Sequence, residues 1–380
     1  MRSPLHETSQ SSAGLLLIAS VSGRALAAAA RCAGYRARVA DFFCDDDTKA
    51  LAERTSLLPG DLRAGIDPAA VLDTLRSLAD GDEVSAVILG SGFERIPEVV
   101  DEIARHLPLA GNRTAAIRRV KDPLTLAEDC AALGIPHPKF RFEPPPDPEN
   151  WVVKAIGSAG GAHVGRAEKT PIGHGRYFQQ LVRGTSLSAL FLADGSEARM
   201  VGFSRQWTSP SPTAPYRYGG AARLRRLDCA DVEMIADRLS GLAEKAGLVG
   251  LCSADFICSS EGWCLIEINP RPGATLDIFD SAEAPLMEAH LRACRGEEFI
   301  LPRFADSMAS MIAYAARPVE SFPAIVWPEW TADRQPSGTR LMAGDPVCTI
   351  FARGPSAASA RRRAGALAAK LERHWTGVPT

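Results

Sequence analysis

The stretch CSADFICSSEGWCLIEINPR, Cys252 to Arg271, decides the fold prediction for this chain. Its two apolar segments are separated by Ser259 to Gly262, whose residue types are typical of a tight turn, so the pattern predicts two antiparallel strands joined by a hairpin. Asp255 lies on the first strand, and Glu267 lies on the second. The sequence therefore predicts two neighbouring carboxylates within an otherwise apolar hairpin.

A third polar side chain extends this pair. Asn269 is two residues after Glu267, so both side chains point to the same face of the strand. Buried carboxylates side by side are costly unless a cation neutralises them, and two carboxylates with an amide offer only oxygen ligands, which suit Mg²⁺ or Mn²⁺. We expect Asp255, Glu267 and Asn269 to bind a divalent cation that contacts nucleotide phosphates. The alternative is a strand edge whose acids are solvated.

A second candidate element is the glycine-rich stretch VVKAIGSAGGAHV, Val152 to Val164. Lys154 lies late in a predicted strand, and Gly157, Gly160 and Gly161 follow it. Glycines let backbone N–H groups approach phosphate oxygens, while a lysine supplies positive charge. A flexible turn without a ligand is the alternative. No lysine in the chain follows a glycine, so a P-loop of the G-x-x-x-x-G-K-[ST] type is excluded.

The N-terminal part alternates strand and helix signals. The short apolar strands LLLIAS, RARVADFF and VSAVILGSGF are separated by helical segments, which predicts a parallel α/β domain over residues 13–111. GSGFER after the third strand resembles the start of a dinucleotide-binding fingerprint, but Arg95 occupies the position of the third glycine. Gly90 and Gly92 are therefore interpreted as turn glycines.

Two further regions follow, and the fold class is predicted to be α/β. Residues 112–300 combine a helix over Thr125–Leu133 with antiparallel strands that turn at Asp194-Gly195 and Glu261-Gly262. Within this region we expect a glycine-loop lobe at about 140–182 and a metal-binding lobe at about 183–300. Residues 301–380 are predicted to form a β-rich region closed by a helix over Ala357–Trp375.

Composition limits the classes of partner. The 43 Lys and Arg residues nearly balance 45 Asp and Glu, so a net charge of −2 gives no reason to expect nucleic acid or an anionic membrane as a partner. No apolar run reaches the roughly 18 residues of a membrane-spanning helix. The nine cysteines include no C-x-x-C pair, which favours free thiols in a cytoplasmic protein over a zinc ribbon.

Together these motifs resemble the ATP-grasp superfamily, whose members include biotin carboxylase and D-alanine–D-alanine ligase. In that superfamily an acidic residue, a hairpin and an E-x-N-x-R sequence bind Mg²⁺ ions on the ATP phosphates. The resemblance implies ATP and Mg²⁺ (or Mn²⁺) as cofactors and Asp255, Glu267 and Asn269 as metal ligands. It also implies that Arg271 faces the transferred phosphoryl group.

Other family motifs occur in the expected order. VKDPLTLAEDCAALGIPHP resembles the entry segment and places Lys121 near the phosphates, while Lys154 matches the second phosphate lysine. Gly157 to Gly161, with Ser158 between them, match the mobile loop.

QQLVRGTS resembles the family hinge, usually written E-x-φ-φ-x-G. The resemblance implies that the backbone of Gln180 and Val182 reads adenine, with Leu181 between them, and that Ser186 lies near the ribose. Two residues depart from the family pattern. Gln179 replaces the usual acid of the hinge, and Ser186 replaces a common ribose-binding carboxylate.

The candidates for substrate contact flank the loop TSPSPTAPYRYGG or follow the glycine loop. An arginine among them is suited to hold a carboxylate through two hydrogen bonds. These candidates are His163, Arg205, Gln206, Tyr218 and Arg223. Asp277 and Asp280 are expected either to orient an amine or to cap the following helix.

The resemblance implies a ligase that activates a carboxylate as an acyl phosphate and joins it to an amine, with Arg271 and Lys154 as catalytic residues. Small-molecule carboxylates and amines would be the partners, and a homo-oligomer is compatible with the sequence. After Arg271 the chain reads PGATLDIFD in place of the Q-V-E-H-P-V-T-E-like run of biotin carboxylase. The whole chain is similar to predicted ATP-dependent carboligases related to that enzyme, a group that includes tyramine–glutamate ligation in cofactor synthesis. A carboxylase acting through carboxyphosphate and an ATP-binding regulator without turnover are alternatives.

Overall fold

The computed structural model describes residues 14–62, 64–170, 173–226 and 232–376. Residue 13, the first of the predicted N-terminal domain, and residues 377–380 of the predicted C-terminal region lie outside these ranges. The described residues form four β-sheets with helices packed against them. This arrangement confirms the predicted α/β fold class.

The N-terminal part is a parallel sheet with flanking helices. Its strands and a short two-stranded ribbon are β1 (Leu15–Ala19), β2 (Arg36–Asp41), β3 (Arg54–Leu57), β4 (Gly60–Asp61), β5 (Gly65–Ile66) and β6 (Val84–Leu89). Its helices are α1 (Arg24–Cys32), α2 (Asp46–Leu51), α3 (Val71–Ala79) and α4 (Pro97–His106). The sheet order is β3-β2-β1-β6, with β4 and β5 paired separately. The predicted parallel layer is therefore present.

Local packing explains how the first strand and helix form. Every residue of β1 is buried, as expected for a parallel strand covered on both faces. Gly23 precedes α1, and its N–H donates to Asp41 Oδ2 at 2.9 Å. A Cβ at Gly23 would lie 2.3 Å from Cγ1 of Val39, so the close approach of the helix start to β2 requires glycine.

Two helices lead into a small antiparallel sheet. The helices are α5 (Thr114–Lys121) and α6 (Pro123–Ala132), and the strands are β7 (Phe140–Arg141), β8 (Trp151–Ala155), β9 (Gly165–Arg166) and β10 (Arg176–Gln180). Helix α6 begins earlier than predicted because Asp122 caps it, accepting from the N–H of Thr125 at 2.8 Å. The sheet order is β7-β10-β8-β9.

The largest sheet has eight antiparallel strands in the order β15-β14-β11-β12-β13-β16-β18-β17. They are β11 (Thr185–Asp194), β12 (Ala198–Thr208), β13 (Tyr218–Arg223), β14 (Val249–Ser259), β15 (Gly262–Asn269), β16 (Ser307–Tyr314), β17 (Thr331–Ala332) and β18 (Pro346–Gly354). The associated helices are α7 (Val232–Ala246), α8 (Leu276–Phe279), α9 (Leu286–Cys294) and α10 (Ala357–Thr376). Both predicted hairpin turns and the predicted C-terminal helix are present.

The two faces of this sheet have different neighbours. One face packs against α7 through a core that contains Phe191 and Leu239. The other face packs against α8, α9 and the N-terminal helix α1, with Leu190 and Phe279 in the shared core. The N-terminal helix therefore lies over the same sheet face that carries the predicted metal ligands. Among the described helices, none is long and apolar enough to cross a membrane.

Candidate active site

The candidate site is built on the β14–β15 hairpin. Asp255 pairs directly with Glu267 across the two strands, and Asn269 pairs with Ser253. The amide Nδ2 of Asn269 donates to Asp255 Oδ2 at 3.1 Å. The structure thus brings the three predicted metal ligands together on one sheet face, with a one-residue bulge between Asp255 and Phe256 that puts Glu267 opposite Asp255.

Two lysines from separate segments converge on these ligands. Lys121, the last residue of α5, donates from Nζ to Asn269 Oδ1 at 2.8 Å. Lys154, on β8, donates to Glu267 Oε2 at 3.2 Å and to Gln179 Oε1 at 3.4 Å. Gln179 stands where the family hinge usually has an acid. Its uncharged side-chain oxygen accepts a hydrogen bond from the buried Lys154 ammonium.

The electrostatics of the two carboxylates differ. Burial raises the pKa of Asp255 to about 6, and the nearby Glu267 carboxylate adds to the rise. Burial also opposes the charged form of Glu267, but Lys121 and Lys154 outweigh it and hold the pKa of Glu267 well below its usual range. Glu267 is therefore kept ionised by its lysine partners, while Asp255 lacks a full counter-charge.

This donor set fits a hard divalent cation. Asp255 and Glu267 offer paired carboxylate oxygens, and Asn269 adds an amide oxygen, while burial and the Glu267 charge raise the pKa of Asp255. Within the part of the chain that the structure describes, no three His, Cys, Asp or Glu side chains form such a group. A metal here would thus depend on two carboxylates, an amide and ligands from outside the protein.

Arg271 is bound by an acid that the sequence analysis did not select. Its Nε donates to Oε1 of Glu94 at 2.7 Å, and Glu94 Oε2 accepts from the N–H of Gly92 at 2.9 Å. Burial favours the neutral form of Glu94, but Arg271 and then Lys121 lower its pKa below the usual range. Gly90 and Gly92 flank the turn after β6, in keeping with their interpretation as turn glycines. The same turn carries Glu94, which binds Arg271.

The position of Glu94 in the fold could have identified it. The turn follows β6, which pairs with β1 at the point where the strand order of the parallel sheet reverses. Ligands of open α/β sheets bind outside the carboxyl ends of strands at such a switch point. An acid directly after the third predicted strand was therefore a candidate on topological grounds.

The glycine loop contacts two other segments. Gly157, Gly160 and Gly161 have φ values of +72°, +75° and +72°, in the region that favours glycine. A Cβ on Gly157 would lie 2.3 Å from the carbonyl oxygen of Glu94, and one on Gly161 would lie 2.1 Å from that of Tyr216. The loop is thus packed backbone to backbone against the N-terminal domain and the β12–β13 connection.

A small cavity lies under this loop. Its lining includes Lys121, Lys154, Gly157, Ser158 and Glu267, and its volume is about 20 Å³. Such a volume has room for about one water molecule, so this cavity as it stands does not hold a nucleotide.

His163 lies at the base of the loop and faces the protein. Its Nδ1 accepts a hydrogen bond from the N–H of Ala155 at 3.2 Å. Burial lowers the pKa of His163 to about 4, against an opposing effect of Glu267. The imidazole is therefore neutral at pH 7 and one of its nitrogens supports the loop.

The predicted hinge connects the two sheets. The N–H of Gln180 donates to Lys139 O at 2.8 Å, and that of Leu181 donates to Asn150 O at 2.8 Å. These two amides are therefore engaged within the protein, which leaves Val182 and the Gln180 carbonyl as the hinge groups for a base. Ser186 lies in β11, opposite Ile257 of β14.

The substrate-facing candidates divide into two groups. Gln206 donates from Nε2 to Asp255 Oδ1 at 3.1 Å and belongs to the site. Arg205 lies on the exposed side, 3.4 Å from Thr185 Oγ1. Asp280 caps α9, accepting from Leu286 N–H at 2.8 Å.

Arg223 makes its contacts within the protein. Its guanidinium donates to Ile278 O at 2.5 Å and to Asp306 Oδ1 at 2.6 Å, and it lies 3.8 Å from the centre of the Phe304 ring. The side chain is 3% exposed. Arg223 thus ties β13 to its neighbours, and its contact with a substrate stays a prediction.

Asp277 also has a partner inside the protein. Arg24 donates to Asp277 Oδ2 at 2.8 Å and to Asp333 at 3.0 Å. Arg24 comes from the first helix of the chain, so this cluster joins three distant segments. The Asp277 carboxylate is therefore already bound by Arg24, and an amine that it orients would have to share it with that arginine.

Comparisons with known proteins agree with this geometry. Residues 120–275 match the family model described as ATP-grasp domain. The biotin carboxylase domain of 2-oxoglutarate carboxylase from Hydrogenobacter thermophilus is similar in structure, with a TM-score of 0.68, 12% identity and coverage of 90% of this chain and 86% of that chain. No curated protein matches the sequence.

Two further solved structures have similar folds. L-amino acid ligase from Bacillus licheniformis has a TM-score of 0.68 at 16% identity, covering 95% of this chain and 97% of that chain. N5-carboxyaminoimidazole ribonucleotide synthetase from Thermotoga maritima has a TM-score of 0.67 at 12% identity, with coverages of 93% and 98%. At such identities the likeness concerns the fold. The family match shows an ATP-grasp domain over residues 120–275, and the solved structures show a similar fold over 90% to 95% of the chain.

Proposed function

We propose that the protein is an ATP- and Mg²⁺-dependent ligase that activates a carboxylate as an acyl phosphate and joins it to an amine. The observation that carries this proposal is the direct pairing of Asp255 with Glu267, beside Asn269 and within reach of Lys121 and Lys154. Paired acids next to lysines provide the mixed charge that a metal–nucleotide complex needs.

The residues have distinct tasks in this proposal. Asp255, Glu267 and Asn269 would hold Mg²⁺, which supplies charge neutralisation on the ATP phosphates. Lys121 and Lys154 would exchange their present oxygen partners for phosphate oxygens. The Gly157–Gly161 loop would contact phosphate through its N–H groups and exclude water when closed.

The reaction balances in two steps. A carboxylate oxygen of the substrate forms a bond to the γ-phosphorus of ATP, and ADP leaves. The amine nitrogen then forms a bond to the acyl carbon, phosphate leaves, and the amine loses a proton. Arg271 would stabilise the charge of the phosphoryl group in the first step and of the departing phosphate in the second.

The fold of the segment after Arg271 favours a ligase over a carboxylase. Leu276, Ile278 and Phe279 are buried in the core, and Asp277 is bound to Arg24. This segment therefore offers few free polar groups where biotin carboxylase has its substrate residues. The Hydrogenobacter structure holds MgADP and bicarbonate, so the carboxyphosphate route is the second candidate to be tested.

The experiment is an ADP-release assay with Mg·ATP and a panel of carboxylates, with hydroxylamine added to trap an acyl phosphate. We expect ADP rather than AMP, with a hydroxamate that depends on the carboxylate. Release of ADP with bicarbonate alone would support the carboxylase route instead. Binding of Mg·ATP by calorimetry without turnover on any of these substrates would support a regulator, and absence of Mg·ATP binding would refute all three.

A further inference from the structure

Among the described residues, the hydroxyl group of Tyr218 is one of several buried polar groups on this sheet without a hydrogen-bond partner, and Ser204 Oγ and Arg223 Nε are others. A buried hydroxyl without a partner is destabilising, so folded proteins rarely keep one without a reason. This hydroxyl lies on the strand β13, which forms part of the sheet that carries the metal ligands.

Strand register places Tyr218 on the face of the site. Tyr218 is paired with Thr208 on β12, and Gln206 lies two residues from Thr208 on the same strand. The pairing has a bulge at this point, but its extra residue, Gly219, lies on β13. Gln206 and Thr208 therefore still share a face of β12, and Tyr218, opposite Thr208, points to the same side. Gln206 donates to Asp255 at 3.1 Å, which puts the tyrosine ring on the metal-ligand face next to this pair. The ring also packs against the apolar cluster that contains Leu190 on that face.

The backbone of Tyr218 is held from two sides. Its N–H donates to Gly160 O in the glycine loop at 3.0 Å, and its carbonyl accepts from the hydroxyl of Tyr314 at 2.7 Å. The ring is therefore fixed relative to the closed loop. Tyr218 therefore contacts the closed glycine loop through its backbone, and the same contact fixes the orientation of its hydroxyl.

The surrounding charges determine which partner the hydroxyl can take. Burial raises the pKa of Tyr218 far above its usual range, and Asp255 and Asp277 add to the rise, so the phenol keeps its proton and can donate. The Asp277 charge is balanced by Arg24, and in the proposed function the Asp255 charge is balanced by Mg²⁺. A donor is suited to a carboxylate oxygen, whereas it would block the lone pair that an amine needs for attack.

We propose that Tyr218 is a substrate-binding residue whose hydroxyl donates a hydrogen bond to a carboxylate oxygen of the non-nucleotide substrate. This inference rests on the proposed ligase function. It assigns the carboxylate site to the side of Asp255 that carries Gln206 and Tyr218, opposite the lysines. The substrate supplies the partner that the folded protein lacks.

The test compares Tyr218→Phe with a matched control, Tyr35→Phe. The hydroxyl of Tyr35 donates to Glu288 Oε2 at 2.7 Å, away from the site, so its removal deletes a bond that the protein makes. Tyr218→Phe removes an oxygen that has no such bond. We therefore expect the urea midpoint to fall for Tyr35→Phe and to stay unchanged or rise for Tyr218→Phe.

Activity should show the opposite pattern. Full-length proteins are assayed for hydroxamate formation with Mg·ATP, hydroxylamine and a mixture of the proteinogenic L-amino acids as carboxylate probe. For Tyr218→Phe we expect kcat/KM for the carboxylate to fall about 10- to 100-fold, with the Mg·ATP dissociation constant within about threefold of wild type. Tyr35→Phe should match the wild type in both measurements.

The outcomes separate the two proposals. If the wild type forms hydroxamate and Tyr218→Phe is equally active, the Tyr218 inference fails while the ligase function stands. If Tyr218→Phe lowers the urea midpoint as Tyr35→Phe does, the hydroxyl has a protein partner and the inference also fails. If the wild type binds Mg·ATP but forms no hydroxamate with any of these amino acids, the proposed ligase function fails for this class of carboxylate and the Tyr218 inference falls with it.

Discussion

Glu94 and Arg271 form a buried ion pair across 177 residues of sequence, with Nε of the arginine 2.7 Å from Oε1 of the acid. The Glu94 side chain is 2% exposed and that of Arg271 is 12% exposed. Because the same acid also accepts from the N–H of Gly92, its position is fixed by the N-terminal domain. The orientation of the proposed phosphoryl-binding arginine thus depends on a domain that contributes no metal ligand in this proposal.

Replacing Glu94 by Gln should release Arg271 from its fixed orientation. We expect kcat for ADP release to fall about 10- to 100-fold, with little change in the Mg·ATP dissociation constant, because a misplaced donor affects the transition state more than the ground state. The matched control is Glu98→Gln. It removes an exposed acid of α4 that is paired with Arg118 of α5. Equal loss of nucleotide affinity and kcat in Glu94→Gln would indicate a general disturbance of the site and contradict a positioning role.

The glycine loop offers a matched pair of substitutions. Gly160 and Gly161 have nearly equal positive φ values, but a Cβ on Gly160 meets no atom within 4 Å, whereas one on Gly161 lies 2.1 Å from Tyr216 O. Gly160→Ala therefore tests backbone strain alone, which costs about 1 kcal/mol of folding free energy. Gly161→Ala adds a collision of the new Cβ with the carbonyl oxygen of Tyr216. We expect turnover to fall at least about tenfold more in Gly161→Ala than in Gly160→Ala. Similar ADP-release rates for the two variants would contradict closure of the loop onto Tyr216.

The sequence predicted the hairpin and its acid pair because both depend on local patterns. Alternation of apolar and polar residues set the strand faces, and the turn at Glu261-Gly262 set the register of the residues next to it. That register alone would pair Asp255 with Ile266, and a one-residue bulge between Asp255 and Phe256 pairs Asp255 with Glu267 instead. The parallel N-terminal sheet was predicted for the same reason. These features need no information about distant contacts.

The rest of the site depends on tertiary packing. Glu94 meets Arg271 only because the turn after β6 docks against the hairpin, and no local pattern reports that contact. The partners of Arg223 could not be predicted because Asp306 and the Phe304 ring, which contact its guanidinium, are both distant in sequence. Side-chain partners of long polar residues are decided by such packing and not by their spacing.

Asp255→Asn should separate metal binding from folding. The substitution removes a carboxylate whose pKa is raised by burial and by Glu267, and it keeps the ion pair between Lys154 and Glu267. We expect the metal-free variant to be at least as stable as the wild type in urea, because repulsion between buried carboxylates is relieved. Its affinity for Mg·ADP in calorimetry should fall at least about tenfold.

The control for that experiment is Glu261→Gln, an exposed acid in the turn of the same hairpin. It should bind Mg·ADP as the wild type does. Unchanged Mg·ADP affinity in Asp255→Asn would show that Asp255 is not a metal ligand.

Arg24 should be a main determinant of stability. Its guanidinium is 6% exposed and holds Asp277 and Asp333, so Arg24→Gln leaves two half-buried carboxylates without their cation. We expect a loss of about 3 to 5 kcal/mol in the free energy of unfolding by urea. Arg31→Gln removes an exposed arginine from the same helix and should cost less than about 1 kcal/mol. A loss for Arg24→Gln no larger than for Arg31→Gln would contradict a structural role for the junction.

The stability of the protein should decrease below neutral pH partly through His290. This imidazole is buried, with Nδ1 accepting from Leu251 N–H at 2.8 Å and Nε2 lying 3.1 Å from Ala110 O. Burial lowers the pKa of His290 from 6.5 to about 4, so between these values the unfolded chain takes up a proton that the folded protein does not. The stabilising effect is therefore complete above about pH 6.5 and is lost as the pH falls toward 4.

Urea unfolding of the wild type and of His290→Gln at pH 7 and pH 5 measures this effect. We expect the wild type to lose about 2 kcal/mol more than the variant between the two pH values, because the variant has no imidazole to protonate in the unfolded state. The other histidines are present in both proteins, so their contributions cancel in the comparison. His106→Gln, an exposed histidine next to Glu102 on α4, is the control and should follow the wild type. An identical loss in His290→Gln and the wild type would mean that His290 can be protonated in the folded protein, contrary to its burial between two backbone groups.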